Sequence, residues 1–438
     1  MASITEIPGK KGKSYKITVS VGYDQNNKKI RKTTTFTPTT PETSPRKRLK
    51  EIEDFARDFE RKVLSGDVVE HDKITFIKFT EDVWKANYAE LKLSEHCKED
   101  YYRQLEKVIY PEIGYLKLSA IKAIHINNIL RNLESKGLKR GTVKRYLYVI
   151  SSVFHLAYKL DYVKENPCSR CDVASDSQEH EYNCFDIEQT STFLKALSLE
   201  YHYTQKAHYI TDCHGEKKYI PEHQEPFKIS NQLIVFFTLS VFSGCRRGEL
   251  IALQWKDIDF EENTISIKKS ASKTRAHGQI VKAPKTKSSN REITIPDHCI
   301  ELLKKLKAEQ TKQALMLGAD IWQGKYGAEY DDNFVFIQDN GLMMNLDTPT
   351  HSIKDIIGYY NREYAKSESD KLPEIRLHDL RHTNATILLS QNQDIESVSK
   401  RMGHHKTSVT LDIYGHALKS KDKVASDTLE NILIRKQG

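Results

Sequence analysis

The stretch SGCRRGELIALQW, residues 243–255, comes directly after the apolar run QLIVFFTLSVF and carries the signals for a helix end and a helix start. Glycine readily adopts the left-handed backbone conformation that ends many helices. We therefore predict a buried helix that stops at Gly244, a sharp turn, and a second helix over CRRGELIALQW. This geometry projects Arg246 from the start of the second helix, whereas Arg247 points elsewhere.

A second polar stretch is LHDLRHT, residues 377–383. His378 and Arg381 are three residues apart, so they share one face of a helix. Pro373 keeps this helix from starting earlier, which places His378 in the first turn. The positive end of the helix dipole and the free N–H groups of that turn favour an anion.

In two further stretches, polar residues also lie in a turn or loop next to a predicted strand or helix. APKTKSSNREITIP, residues 283–296, places Lys285 in a flexible span before a strand, from which it could reach a substrate. RMGHHKTSVTLDIYGH, residues 401–416, ends a helix at a glycine, turns through two histidines and places Tyr414 ten positions after His404. These spacings raise the question whether the polar groups meet at one site.

The bulk composition is that of a globular protein of 438 residues, long enough for two to four domains. No run of 18 apolar residues exists, so we expect no membrane span, and the N-terminus lacks the apolar core of a signal peptide. Seven scattered cysteines fit reduced thiols, as in a cytoplasm, better than a disulfide framework. We expect a cytoplasmic protein.

The positive charge is concentrated at the N-terminus. Residues 1–50 hold twelve Lys and Arg against three Asp and Glu, a net of +9, whereas the whole chain carries +8. On composition alone, an arm that binds a polyanion and a solvated lysine-rich tail are equally good interpretations.

Alternating β-branched residues predict a hairpin from strands at 14–22 and 30–36, followed by a helix that ends near Gly66. Its apolar residues at helical spacing are Leu49, Ile52, Phe59 and Val63. Because a β-sheet can enter the major groove of DNA, the hairpin favours the arm.

The remainder divides into a helical part and a mixed part. Residues 74–165 look all-helical, with one apolar stripe formed by Val143, Leu147, Ile150, Phe154 and Ala157. A linker with little periodicity then precedes the largest domain. Within that domain, TISIKKS, REITIP and NFVFI predict short strands. The histidine-rich stretch 200–226 looks like an insertion, whose role the sequence leaves open.

The sequence lacks the usual motifs of several kinds of enzyme. The sequence has no glycine-rich phosphate loop followed by Lys-Ser/Thr, no HExxH and no evident pair of carboxylates. Cys168-x-x-Cys171 resembles half a zinc site, but no second ligand pair has the usual spacing. We therefore expect neither a metal nor another cofactor.

Taken together, the four polar stretches resemble the successive signature boxes of the tyrosine recombinase, or phage-type integrase, family. Order and spacing agree over about 175 residues, and the basic N-terminal module and the helical module fit the same layout. The three-domain form is most similar to integrases of temperate phages and of integrative conjugative elements. One box alone would be weak evidence, whereas four in order are highly specific.

The resemblance implies six catalytic residues and a role for each. Tyr414 is the nucleophile, Arg246 and Arg381 bind the scissile phosphate, and His378 opens the His-x-x-Arg pair. His404 is preferred to His405 because the family motif reads Gly-His. Lys285 is the mobile β-hairpin lysine, with Lys282 and Lys287 as open alternatives nearby. Glu249, Asp379 and His382 are expected to support these residues or pack beside them, and Trp255 is expected in the core.

The resemblance also implies a multidomain, mainly α architecture with small β-sheets. We expect an arm-type DNA-binding domain of a basic sheet plus a helix at 1–73, a helical SAM-like core-binding domain at 74–167, and a mixed α+β catalytic domain at 168–438. The last includes a linker at 168–183 and a C-terminal exchange segment at 420–438. Implied partners are double-stranded DNA with core-type and arm-type attachment sites, three further copies in a homotetramer, an excisionase and a host DNA-bending protein. The implied location is the bacterial nucleoid.

The implied function is site-specific recombination that integrates and excises a mobile element through a 3′-phosphotyrosine intermediate. Two alternatives remain at this point. A type IB topoisomerase or telomere resolvase would use the same chemistry without exchange between sites, but the arm-like domain argues against it. A DNA-binding regulator with a silent active site is a different class, and the presence of all six residues argues against it.

Overall fold

The computed structural model describes residues 2–9, 12–23, 29–40, 44–64, 74–173, 183–211, 217–282, 290–404, 407–408, 410–411 and 430. The chain divides into two compact units, Met1–Ser177 and Gln178–Gly438. Across the described ranges, no helix has the length and apolar character needed to cross a membrane. The predicted boundary between residues 73 and 74 lies at the edge of a stretch outside the described residues and stays a prediction.

The first unit begins with a three-stranded antiparallel sheet and one helix. The strands are β1 (Ser3–Gly9), β2 (Gly12–Tyr23) and β3 (Lys29–Phe36), in the order β1-β2-β3, and the helix is α1 (Pro45–Leu64). The predicted hairpin and helix are confirmed, and β1 adds a strand that the sequence pattern missed. Ile52 and Val63 face the sheet as predicted, but Leu49 is 59% exposed, so its assignment to the buried stripe was wrong. The buried face of α1 instead includes Ala56.

The helical module that follows has its own apolar core. Its main helices are α2 (76–92), α3 (95–114), α4 (Ala123–Ser135) and α5 (Arg140–Lys159), the first two with internal stretches of wider π-helical turns. All five residues of the predicted apolar stripe on α5 are buried, which confirms the helical prediction. Cys168 and Cys171, placed in the predicted linker, pack into this core.

The second unit has a larger apolar core, and its described part contains seven α-helices. They are α6 (Ile187–Ala196), α7 (Asn231–Ser243), α8 (Arg247–Ile251), α9 (Asp297–Ile321), α10 (Thr348–Glu363), α11 (Asp379–Ser390) and α12 (Ile395–Met402). Helix α7 is apolar all round because it passes through this core, where Phe236 and Phe237 are fully buried. Trp255 is 1% exposed and belongs to the core, as predicted.

Short antiparallel strands lie between the helices of the second unit. Strands β8 (Ile258–Asp259), β9 (Thr264–Ile267) and β12 (Arg291–Thr294) form one sheet, and β10 (Ser270–Thr274) pairs with β11 (Gly278–Lys282) in a hairpin. The strands predicted in TISIKKS and REITIP are confirmed as β9 and β12. The strand predicted in NFVFI was wrong. Residues 333–337 are buried except for the half-buried Phe334, but they make only isolated bridges, at Phe334 and Ile337, rather than a ladder.

The histidine-rich stretch forms a two-stranded ribbon. Strand β4 (Glu200–Gln205) pairs with β7 (His223–Lys228), and β5 (His208–Thr211) pairs with β6 (Lys217–Ile220). At the base of the ribbon, Tyr201 is fully buried and packs against Tyr359 and Tyr364. The ribbon is therefore anchored on α10.

Candidate active site

The junction of α7 and α8 is built around Gly244. Its φ of +62° is left-handed, and a Cβ atom there would lie 2.4 Å from Met402 Cε and 3.0 Å from Asn384 Oδ1. Only glycine fits this turn, which brings the end of α7 against α11 and α12. Arg246 occupies the N-cap position of α8, as predicted, although α8 is shorter than the predicted helix over CRRGELIALQW.

Arg246 is held by a buried carboxylate. Its Nη1 donates to Glu249 Oε1 at 2.9 Å, and its backbone N–H donates to Glu249 Oε2 at 2.9 Å. The side chain of Arg246 remains 39% exposed, whereas that of Glu249 is 5% exposed. Arg247 turns away, as predicted, and donates to Thr350 Oγ1 at 2.8 Å. Glu249 thus orients one guanidinium at a surface that a ligand can reach.

Arg381 is supported in a different way. It is 2% exposed, and its two terminal nitrogens donate to Gly244 O at 2.7 Å and to Met402 O at 2.6 Å. The carbonyl oxygens of the α7 and α12 ends are satisfied by this planar fork. Arg381 therefore ties three of the four predicted boxes together.

His378 lies one residue outside the helix rather than in its first turn. It is the N-cap residue of α11, and Asp379 follows as the first helical residue. The Asp379 carboxylate accepts from Arg376 through its backbone N–H at 2.8 Å and through Nη2 at 2.8 Å. The His378 ring meets the His382 ring edge-on, with centroids 5.1 Å apart. Asp379 and His382 therefore support or pack beside the site.

His404 follows a second left-handed glycine. Gly403 has φ of +66° and ends α12. The His404 backbone N–H donates to Ser399 O at 3.1 Å, and its Nδ1 lies 2.8 Å from Thr410 Oγ1. The Thr410 hydroxyl fixes the ring and leaves Nε2 as the outer nitrogen.

Burial and positive charge keep both histidines neutral. Burial lowers the pKa of His378 below 6.5, and Arg381 and Arg246 lower it further. Burial, with the same two arginines, lowers the pKa of His404 to about 4. Arg246 Nη2 donates to Gly403 O at 3.4 Å and Arg381 Nη2 donates to Met402 O at 2.6 Å, both next to His404. Because His378 is the N-cap of the helix that carries Arg381, these four side chains form one cluster. At pH 7 each imidazole carries one proton and one lone pair, so it can both donate and accept.

The remaining predicted residues lie partly outside the described part of the chain. Tyr414, Lys285, Lys287 and His405 all lie outside it, so their positions stay predictions. The third lysine candidate, Lys282, is half-buried at the end of β11, opposite Ser270. The β10–β11 hairpin packs closely on α8, because a Cβ atom at Gly248 would lie 2.3 Å from Ala271 O.

Sequence reasoning missed Arg291. This residue begins β12, and its side chain is 7% exposed. Its Nη2 donates to Glu249 Oε2 at 2.8 Å, and its Nε donates to Arg401 O at 2.7 Å. The signal was available, because Arg291 stands two residues before the buried Ile293 and so shares the inward face of the strand. Among the described residues, no three or more His, Cys, Asp and Glu side chains are grouped to hold a metal ion.

Comparisons with known proteins agree with this geometry. The model of the phage integrase central domain matches residues 76–174, and that of the phage integrase family matches residues 217–421. The ICEBs1 integrase of Bacillus subtilis is 29% identical over 341 residues, which cover 77% of this chain and 79% of that protein. A XerC-like tyrosine recombinase of Caldanaerobacter subterraneus is 25% identical and covers 97% of this chain and 98% of its own.

Solved structures show the same fold. The Tn1549 transposon integrase in complex with transposon right end DNA superposes with a TM-score of 0.61 at 18% identity, over 81% of this chain and 99% of that one. The fold is therefore that of the tyrosine recombinase integrases, mainly helical with small antiparallel sheets. Because both models of the family match, in order, to the helical module and to the unit that holds the arginine–histidine cluster, the chain belongs to the phage integrase family, that is, to the tyrosine recombinases.

Proposed function

We propose that this tyrosine recombinase integrates and excises a mobile element by cutting and rejoining DNA at specific sites. The observation that carries the proposal is the cluster of Arg246 and Arg381 with two neutral histidines, at the junction fixed by Gly244 and Gly403. Two guanidinium groups next to uncharged proton carriers suit a phosphodiester, whose negative charge otherwise repels a nucleophile.

The proposed reaction assigns one task to each residue. Arg246 and Arg381 bind the non-bridging oxygens of the scissile phosphate, and His404 donates a further hydrogen bond. Neutral His378 accepts the phenolic proton of Tyr414, directly or through a neighbour, because a phenol of pKa near 10 needs such help.

The tyrosine oxygen then bonds to phosphorus while the bond to the 5′ oxygen breaks, and Lys285 supplies the proton that this oxygen takes up. The 3′-phosphotyrosine product conserves the energy of the phosphodiester. Attack by a 5′-hydroxyl from another strand reverses the step and seals the DNA, so no nucleotide is consumed. The proposed chemistry also has no step that requires a metal ion.

We further propose the assembly in which this reaction takes place. The basic sheet at 1–73 binds arm-type sites and the rest of the chain binds core-type sites, as four copies around two duplexes. The segment 420–438 packs on a neighbouring protomer, and an excisionase and a host DNA-bending protein assist. The enzyme acts in the cytoplasm of a bacterium, on the nucleoid. The integrase and transposase names of the relatives favour this function over topoisomerase or regulatory activity.

A suicide substrate tests the chemistry. Nicked core-site DNA traps the covalent intermediate, and we expect Tyr414→Phe to bind this DNA normally but form no adduct, since only the hydroxyl is removed. The matched control is Tyr219→Phe on the ribbon, where the side chain is 55% exposed, and it should form the adduct at the wild-type rate.

The same assay is repeated in EDTA, where cleavage should persist. An adduct with Tyr414→Phe would show that another residue is the nucleophile. Cleavage that disappears in EDTA and returns with Mg²⁺ would contradict the proposed mechanism. Strand exchange between two sites then separates a recombinase from a topoisomerase.

A further inference from the structure

Arg291 makes contacts that extend well beyond its own strand. Its guanidinium lies between Glu249 on α8 and the last turn of α12, at 2.8 Å from Glu249 Oε2 and 2.7 Å from Arg401 O. A Cβ atom at Gly403 would lie 2.9 Å from Arg291 Nη1, so the guanidinium rests directly against this glycine. One buried side chain thus contacts the supports of both Arg246 and His404.

The Glu249 carboxylate is shared between two cations. Arg246 Nη1 binds Oε1, while Oε2 accepts from the Arg246 backbone N–H and from Arg291 Nη2. A buried carboxylate with a single cationic partner would draw that partner into a close pair and offset most of its charge. Because Arg291 offsets the charge of Glu249, the positive charge of the more exposed Arg246 stays available for a phosphate.

From these contacts we infer that Arg291 is a positioning residue for DNA cleavage: it orients Arg246 through Glu249, and it fixes His404 through the end of α12. The inference rests on the proposed function and adds a residue to it. Arg291 does not touch the phosphate in this scheme and acts only through the groups that do. It also accounts for glycine at position 403, since any side chain there would displace the Arg291 guanidinium.

The variant that tests this inference is Arg291→Lys. Lysine keeps the charge but lacks the planar fork that reaches Glu249 and the Arg401 carbonyl together. The matched control is Arg401→Lys, because the Arg401 side chain also donates to backbone carbonyls, in this case those of Phe242 and Thr294. Core-site binding and single-turnover cleavage are measured for both.

Three core-site substrates locate the defect. The first has an ordinary scissile phosphodiester, the second a methylphosphonate, and the third a 5′-bridging phosphorothiolate. A methylphosphonate is uncharged and depends less on Arg246, whereas the thiolate leaving group of the third needs no proton. We expect Arg291→Lys to bind like wild type and to cleave the ordinary substrate about 100-fold more slowly. The deficit should fall below about tenfold on the methylphosphonate and persist on the phosphorothiolate.

Each other outcome overturns the inference. An equal deficit on all three substrates, or one matched by Arg401→Lys, assigns Arg291 a structural role only. If only the phosphorothiolate restores cleavage by Arg291→Lys, then Arg291 acts instead on the protonation of the leaving group, through the segment 282–287 that holds the candidate lysines. If Arg291→Lys does not fold, the double variant that combines Arg291→Met with Glu249→Gln removes both buried charges. The inference then requires that its cleavage deficit be smaller on the methylphosphonate and persist on the phosphorothiolate. Failure of the wild-type protein to cleave any core site would instead count against the proposed function.

Discussion

Arg246 and Arg381 belong to the same cluster, yet the protein supports them in opposite ways. Arg246 is 39% exposed and is paired with the Glu249 carboxylate. Arg381 is buried and donates to two helix-end carbonyls. The first arginine is oriented mainly by an opposite charge, with a longer bond of 3.4 Å to Gly403 O, whereas the second is oriented by two short bonds to carbonyl dipoles. The two acceptors of Arg381 are neutral carbonyl dipoles, whereas the Glu249 acceptor of Arg246 is a carboxylate.

Because the two arginines are supported differently, they should contribute differently to the stability of the fold and to phosphate binding. Removing the Arg381 fork breaks the contact between the ends of α7 and α12, because the group that we propose to bind the phosphate also donates to Gly244 O and Met402 O. Removing the Arg246 fork leaves Glu249 bound to Arg291. Substitutions of the two arginines should therefore differ in their effect on stability as well as on cleavage.

The largest effect is expected from Arg381→Lys. A lysine ammonium cannot reach both carbonyls in the plane of the fork, so one buried acceptor loses its partner, at a cost of about 1–3 kcal/mol in the free energy of unfolding. Cleavage should fall at least about 10³-fold, because the phosphate loses a bidentate donor and the junction that carries His404 shifts. Urea unfolding followed by tryptophan fluorescence, together with cleavage of a suicide substrate, measures both quantities. Wild-type stability in this variant would mean that the two carbonyl bonds are not structural.

A smaller and different effect is expected from Arg246→Lys. Cleavage should fall about 10²-fold, since one donor fork on the phosphate is lost. The free energy of unfolding should change by less than about 1 kcal/mol, because the partly exposed pair with Glu249 contributes little and Arg291 remains. The same two assays apply. A loss of stability equal to that of Arg381→Lys would remove the distinction between the two arginines.

Much of this site could be predicted from sequence because its signals are local. The glycine stops at 244 and 403 and the three-residue spacing of His378 and Arg381 each depend on a few neighbouring residues. The pairing of Glu249 with Arg291 joins residues 42 positions apart, and no local pattern shows which buried carboxylate meets which arginine. The inward-facing position of Arg291 was visible, but its partner was not.

The errors in the fold prediction have the same origin. The apolar run at 333–337 has the composition of a buried strand, and only the tertiary contacts decide that no ladder forms there. Leu49 fits the helical stripe of α1 by spacing, yet the buried face of that helix runs through Ile52 and Ala56 instead. Spacing identifies which residues share a face, while the extent of the neighbouring element decides which of them are covered.

The last effect concerns pH, changes stability alone, and follows from the burial of His404 next to the two arginines. Burial, Arg381 and Arg246 lower the pKa of His404 to about 4 in the folded protein, against about 6.5 in an unfolded chain. Between these values the unfolded chain binds more protons than the folded one. The stability that neutral His404 provides is therefore complete above pH 6.5 and is lost as the pH falls toward 4. The size of the loss is about 1–3 kcal/mol, reduced by the partial exposure of the ring.

His404→Gln removes this titration while keeping a side chain that can bond to Thr410. We expect the free energy of unfolding of this variant to fall less steeply than that of wild type between pH 6.5 and 4.5, by up to about 1 kcal/mol per pH unit. His202→Gln serves as the control, because His202 lies at the base of the ribbon and binds Glu363. Urea titrations at four pH values provide the slopes. Parallel slopes for wild type and His404→Gln would mean that burial and the two guanidinium groups do not hold this imidazole neutral.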